Sequence, residues 1–230
     1  MPNTLGMYIP QTYYSIGNNL KILILLFIYF NLFAQEDYSL KVAYGKATSS
    51  DFGEAIFLDW KSSSIDSTVL ALDGGYLLKE GAFESPLDFY IKMGLSKFKD
   101  SSGYQTNKYG TFYYKDKDVY EATLYIKAYW NFDFLQNRVR VGFGEGVSYT
   151  DNILNVEKYE ADSENDNNSK ILNYLDFSVD FDFGKLIRYQ PLYATYIGWT
   201  IKHRSGIYGL INDVKRGGSN YNTIYLERKF

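Results

Sequence analysis

The single histidine of this chain, His203, stands two residues before Ser205 in the segment Ile201-Lys202-His203-Arg204-Ser205. An imidazole within reach of a hydroxyl can take its proton and turn it into a nucleophile toward an ester carbonyl. A spacing of two puts both side chains on one side only in an extended strand, where successive residues alternate faces. The surrounding sequence predicts such a strand. Ile197, Trp199, Ile201, His203 and Ser205 share one face, and Gly198, Thr200, Lys202 and Arg204 the other. A base and a hydroxyl therefore stand at the end of an apolar stripe. The same pair, taken alone, also fits a structural histidine at a strand end.

The elements that position this pair follow from composition and alternation. The 230 residues include 24 Tyr and 16 Phe but only 4 Pro, a balance that favours an all-β chain. Absence of cysteine excludes disulfides and thiolate metal sites. A formal net charge of −3 supplies no basic field for nucleic acid. No cofactor or metal site is expected. Glu157–Asn168 lacks the spaced ligands and central glycine of an EF-hand and reads as a solvated loop. Gly142, Gly144 and Gly146 alternate along a strand with no helix after them, so they read as small residues inside a narrow barrel, not as a phosphate loop.

The apolar run Ile22–Phe33 follows Lys21 and precedes Ala34-Gln35. It is shorter than the roughly twenty residues a membrane-spanning helix needs. A positive flank, a short apolar core and a small residue after it form the pattern of a secretory signal, predicted over 1–34. Residues 35–230 would then form the exported domain.

Period-two alternation recurs through that domain. Strands are predicted over Tyr38–Thr48 and Gly53–Lys61 (one interrupted strand), Ser67–Leu78, Pro86–Lys97, Asp118–Phe132, Asn137–Tyr149, Ile171–Phe183, Tyr193–Arg204 and Asn220–Phe230. Their apolar faces are continuous and rimmed by Tyr and Trp, as at membrane interfaces, and the chain ends on Phe230. The expectation is an antiparallel transmembrane β-barrel of eight strands in the bacterial outer membrane. Short connections (Lys79–Ser85, Asp133–Gln136, Gly184–Pro191) would face the periplasm and long ones (Lys99–Lys117, Thr150–Lys170, Gly206–Ser219) the exterior. His203 and Ser205 then lie at the extracellular end, against outer-leaflet lipid. Eight strands enclose packed side chains and not a pore.

At these residues the chain resembles the lipid A 3-O-deacylase family of outer-membrane acyl hydrolases. The likeness rests on His203-x-Ser205 on the penultimate strand, the loop after it and a closing strand with an aromatic end, and covers the C-terminal third. The resemblance implies an exposed Ser–His–acid site that removes an ester-linked acyl chain from lipid A, with Ser205 as nucleophile and His203 as base. The family places a Glu near the start of the last strand, where this chain has Gly217-Gly218-Ser219-Asn220. Asn220 can orient the imidazole through its carbonyl oxygen, as an Asn does in outer-membrane phospholipase A. Glu145, two strands away, is the alternative acid. Backbone N–H groups around Gly206 and the side chain of Asn212 are the candidate oxyanion donors. Arg204, Lys215 and Arg216 are either phosphate contacts or an ordinary solvated rim. The substrate would be lipid A or another outer-leaflet lipid, and homodimerisation stays open. Two alternatives remain: a phospholipase-type acyl hydrolase, and a non-catalytic barrel with a structural or surface-interaction role.

Overall fold

The computed structural model describes residues 37–57, 61–215 and 218–230. The predicted signal over 1–34 lies outside the described residues. Among the described residues ten strands follow one another: β1 (Tyr38–Thr48), β2 (Ser67–Lys79), β3 (Leu87–Asp100), β4 (Gly103–Asn107), β5 (Gly110–Tyr114), β6 (Lys117–Phe134), β7 (Asn137–Thr150), β8 (Ile171–Asp182), β9 (Thr195–Ser205) and β10 (Gly218–Lys229). Eight of them close into a barrel in the order β1-β10-β9-β8-β7-β6-β3-β2, every neighbouring pair antiparallel. The remaining two, β4 and β5, form a hairpin within the connection from β3 to β6. The all-β class, the antiparallel pairing and the eight barrel strands are as expected.

Alternation sorts the side chains inside out relative to a water-soluble protein. Leu70, Leu72, Met93, Leu95, Leu124 and Ile126 are exposed, whereas Lys41, Asp73, Lys92, Lys127, Asp176 and Glu227 are buried. An exposed apolar band around a closed sheet suits hydrocarbon, because closure leaves no backbone group unpaired. Charges in the narrow interior are tolerable only when paired. Lys41 contacts Asp73 at 2.9 Å and Asp176 at 3.1 Å. Arg140 grips Asp180 through two hydrogen bonds, 2.8 and 2.7 Å, and reaches Glu227 at 2.9 Å. Lys127 pairs with Asp176, and Lys92 with Glu227.

Two connections depart from the sequence reading. Of the strand expected over Gly53–Lys61, residues 58–60 lie outside the described residues, and residues 53–56 do not continue β1. The chain leaves the barrel after Thr48 and forms a short helix, α1 (Phe52–Ile56), with the Asp51 backbone N–H donating to Glu54 Oε2 at 3.1 Å. A reciprocal cap of this kind favours helix over strand at that point. Within 150–170 a second helix, α2 (Asn155–Glu164), replaces the expected solvated loop. Leu154 and Val156 drop into an apolar cluster with Val69, Phe98, Val119 and Tyr221, which closes one mouth of the barrel. Glu157, also buried, reaches Arg204 at 3.1 Å and accepts from the Ser219 hydroxyl at 2.8 Å. At the opposite end, β6 and β7 meet in a two-residue turn with Leu135 at φ 49 and Gln136 at φ 63. Positive φ at both positions matches the right-handed twist of a tight hairpin.

Candidate functional site

Strand register builds the site. Across the outer face, Glu145 on β7 stands opposite Leu175 on β8, which stands opposite His203 on β9, which stands opposite Asn220 on β10. The next row toward the long loops reads Val147, Asn173, Ser205, Gly218. Residues opposite one another in an antiparallel pair project from the same face, with Cβ atoms about 4.5–5.5 Å apart. His203 and Asn220 are therefore neighbours by pairing, and so are Ser205 and Asn173.

Asn220 Oδ1 lies 2.6 Å from Nδ1 of His203, and its Nδ2 donates to the carbonyl of Ser50 at 3.0 Å. An amide has one accepting and one donating end. Because a carbonyl can only accept, Ser50 fixes which end faces His203. Nδ1 must then carry the proton and donate it to Asn220, which leaves Nε2 as the bare, basic nitrogen. The ring of Phe52, from α1, packs 4.9 Å from the imidazole. Thus the segment that leaves β1 both orients Asn220 and covers His203.

His203, Ser205, Asn220 and Glu145 all border one cavity of about 880 Å³. Phe52, Phe143, Leu175 and Ile207 supply apolar wall, and Glu160 and Lys215 sit on its polar side. That size lies within the roughly 300–1,000 Å³ range of ligand sites. Ser205 Oγ has no hydrogen-bond partner among the described residues, His203 included, and stays open to the cavity. Glu145 borders the same space without bonding His203. Glu160 on α2 is electrostatically stressed: burial, then the carboxylates of Glu164 and Asp51, push its carboxyl up.

The other sequence candidates separate. Gly206 follows Ser205 at a tight fold-back. Its carbonyl accepts from Ile211 N–H at 3.0 Å, and a Cβ there would meet the Val214 carbonyl oxygen at 2.0 Å. The Asn212 side chain is engaged elsewhere, donating to Ser169 Oγ at 2.7 Å and to the Ile171 carbonyl at 3.2 Å. Arg204 corrects an expectation: it points into the barrel, is buried against Glu157 and Glu121, and has no lipid-facing phosphate role. Its parity, opposite to His203 and Ser205, is the reason. Lys215 borders the cavity; Arg216 lies outside the described residues.

One residue of the site was missed from the sequence. Asn173 has the parity of the apolar face of β8, is only 7% exposed, and borders the cavity directly opposite Ser205. A lone polar residue among Leu175, Phe177 and Val179 was the available signal. Its neighbour on β9 depends on register, which the alternation does not carry.

No family model matches the chain, and no curated protein matches it. Among solved structures it is similar to the outer membrane enzyme PagL, with a TM-score of 0.50 and 11% identity over 84% of this chain and 99% of that one. It is also similar to Neisserial surface protein A, NspA, with a TM-score of 0.45 and 14% identity over 85% of this chain and 98% of that one. These are likenesses of fold. The chain is a closed eight-stranded β-barrel of the outer-membrane type.

Proposed function

We propose that this protein is an outer-membrane serine esterase that removes an ester-linked acyl chain from an outer-leaflet lipid, lipid A being the favoured substrate. Ser205 is the nucleophile, His203 the general base, and Asn220 the residue that holds the imidazole. The single observation that carries the reading is the Ser50–Asn220–His203 relay, because it leaves Nε2 as the basic nitrogen of an imidazole that borders the same cavity as Ser205. Ser205 Oγ would attack the ester carbonyl while Nε2 takes its proton, and the tetrahedral oxyanion would collapse by expelling the lipid alkoxide, which takes the proton back from Nε2. Water, activated by the same nitrogen, would then release the fatty acid. Asn220 orients the ring without the charge a carboxylate would bring to the imidazolium, so turnover is expected to be modest. The apolar walls of the cavity suit an acyl chain, and the barrel resembles that of the outer membrane enzyme PagL.

A second reading, a non-catalytic barrel, is favoured by one observation: His203 and Ser205 share a cavity but no hydrogen bond. Catalytic hydrogen bonds often tighten only with substrate bound, which is why the esterase reading stands first. Incubating the purified barrel with lipid A, and separately with phospholipid, and measuring released fatty acid by mass spectrometry tests it. Release from phospholipid alone would make the protein a phospholipase-type hydrolase. No release from either would favour the non-catalytic barrel.

A further inference from the structure

The geometry points to Asn173 as the oxyanion donor of this site, an inference that rests on the esterase reading. Asn173 is the antiparallel partner of Ser205, so the two side chains leave the same face of adjacent strands. Asn173 is 7% exposed overall, and its amide atoms are not among the buried polar atoms that lack a partner, so the amide keeps access to solvent where the residue borders the cavity. Here the open side of the amide is the cavity that Ser205 also borders.

The chemistry needs such a group. When Ser205 Oγ bonds to the ester carbon, the carbonyl π pair moves onto oxygen, and the Ser205 proton passes to Nε2 of His203. The new negative charge sits one bond from the carbon attached to Oγ. An N–H aimed at that point from an immobile neighbour stabilises the charge without reorganising. The Asn173 amide nitrogen lies two bonds beyond its Cβ, enough to span the roughly 5 Å between paired side chains and meet an oxygen held beside Oγ. Asn212, the side-chain donor expected from the sequence, is already committed to Ser169 and Ile171. The backbone N–H of Gly206 is the natural second donor, held in place by the fold-back onto Val214.

The roles are separable. Asn220 acts on the base and Asn173 on the developing charge, from opposite neighbouring strands of β9. Loss of Asn173 should therefore lower kcat, by about a hundredfold or more as for other single oxyanion donors, and leave KM little changed. The test compares wild type with Asn173→Ala, Asn173→Ser and Asn173→Asp. Each is purified in detergent, checked for folding by its gel shift without boiling, and assayed on a medium-chain p-nitrophenyl ester. The expected order is wild type, then Ser (a shorter donor), then Ala, with Asp no better than Ala because its carboxylate repels the oxyanion. Asp keeps the size and shape of the native side chain, so its loss of kcat cannot be ascribed to an emptied wall. A folded Asn173→Ala or Asn173→Asp variant with more than half the wild-type kcat would overturn the inference while leaving the esterase intact. Wild type that is no faster than Ser205→Ala would overturn the esterase reading, and this inference with it.

Discussion

Asn220 holds its amide oxygen 2.6 Å from Nδ1 of His203, and the carbonyl of Ser50 prevents that amide from turning round. The contact selects one imidazole tautomer, the one in which Nε2 is free to act as a base.

The first prediction follows from that contact. Asn220→Ala should lower esterase turnover by on the order of ten- to a hundredfold, the range seen when a group that orients a working side chain is removed. The barrel should remain folded. Asn220→Asp should retain more turnover than Asn220→Ala, since its carboxylate still accepts from Nδ1 and stabilises the imidazolium although it loses the donation to Ser50. Steady-state kinetics on a lipid ester would check both. Full activity in Asn220→Ala would mean that His203 needs no orientation from β10.

A second prediction concerns the cap. Glu157 carries a carboxylate from α2 into the barrel mouth, where it meets Arg204 and Ser219. Glu157→Leu would strand the buried guanidinium, a loss of about 3–5 kcal/mol when one partner of a buried pair is removed, softened here because Glu121 also lies 4.0 Å from Arg204. Unfolding of the detergent-solubilised protein by denaturant should show a lower midpoint, with hydrogen exchange fastest to rise in α2. An unchanged midpoint with unchanged exchange would place Glu157 outside the forces that hold the cap.

The third prediction is a pH dependence. Burial, with Glu164 and Asp51 nearby, raises the Glu160 carboxyl above its ordinary value, so the folded cap binds its proton more tightly than the unfolded chain does. The contribution is therefore fully present below the unfolded pKa and is lost as pH rises through the folded one. Exchange protection in α2, corrected for intrinsic rates, should fall as pH rises above the ordinary carboxylate range in wild type. In Glu160→Gln the fall should be smaller. Equal pH dependence in the two proteins would show that Glu160 is not the group responsible.

Much of the barrel was legible in advance because lipid outside and paired charge inside impose strict alternation on every spanning strand. Lys41, Asp73, Asp176 and Arg140 each take the inward parity that alternation assigns. The connections were less legible. Ile56 continues the apolar alternation seen before it, yet Asp51 and Glu54 cap a helix there, and a cap of one turn is too local to outweigh a strand pattern on paper. The acidic stretch of α2 looked solvated because the partner of Glu157 is Arg204, 47 residues away in sequence. The site was half legible. His203 and Ser205 could be proposed from their spacing and Asn220 from the family resemblance, whereas Asn173 required the register of β8 against β9. The Ser50 carbonyl could not be found at all, since a backbone atom leaves no mark on residue type.

The central claim is that Ser205 is the nucleophile of a lipid esterase. Purified wild-type protein and Ser205→Ala, both folded in detergent, should be given lipid A and the released fatty acid measured by mass spectrometry. The account predicts release by wild type and none above background by Ser205→Ala, with His203→Ala equally inactive and the double variant no worse, because the two residues act as one unit. Equal release by wild type and Ser205→Ala would contradict it.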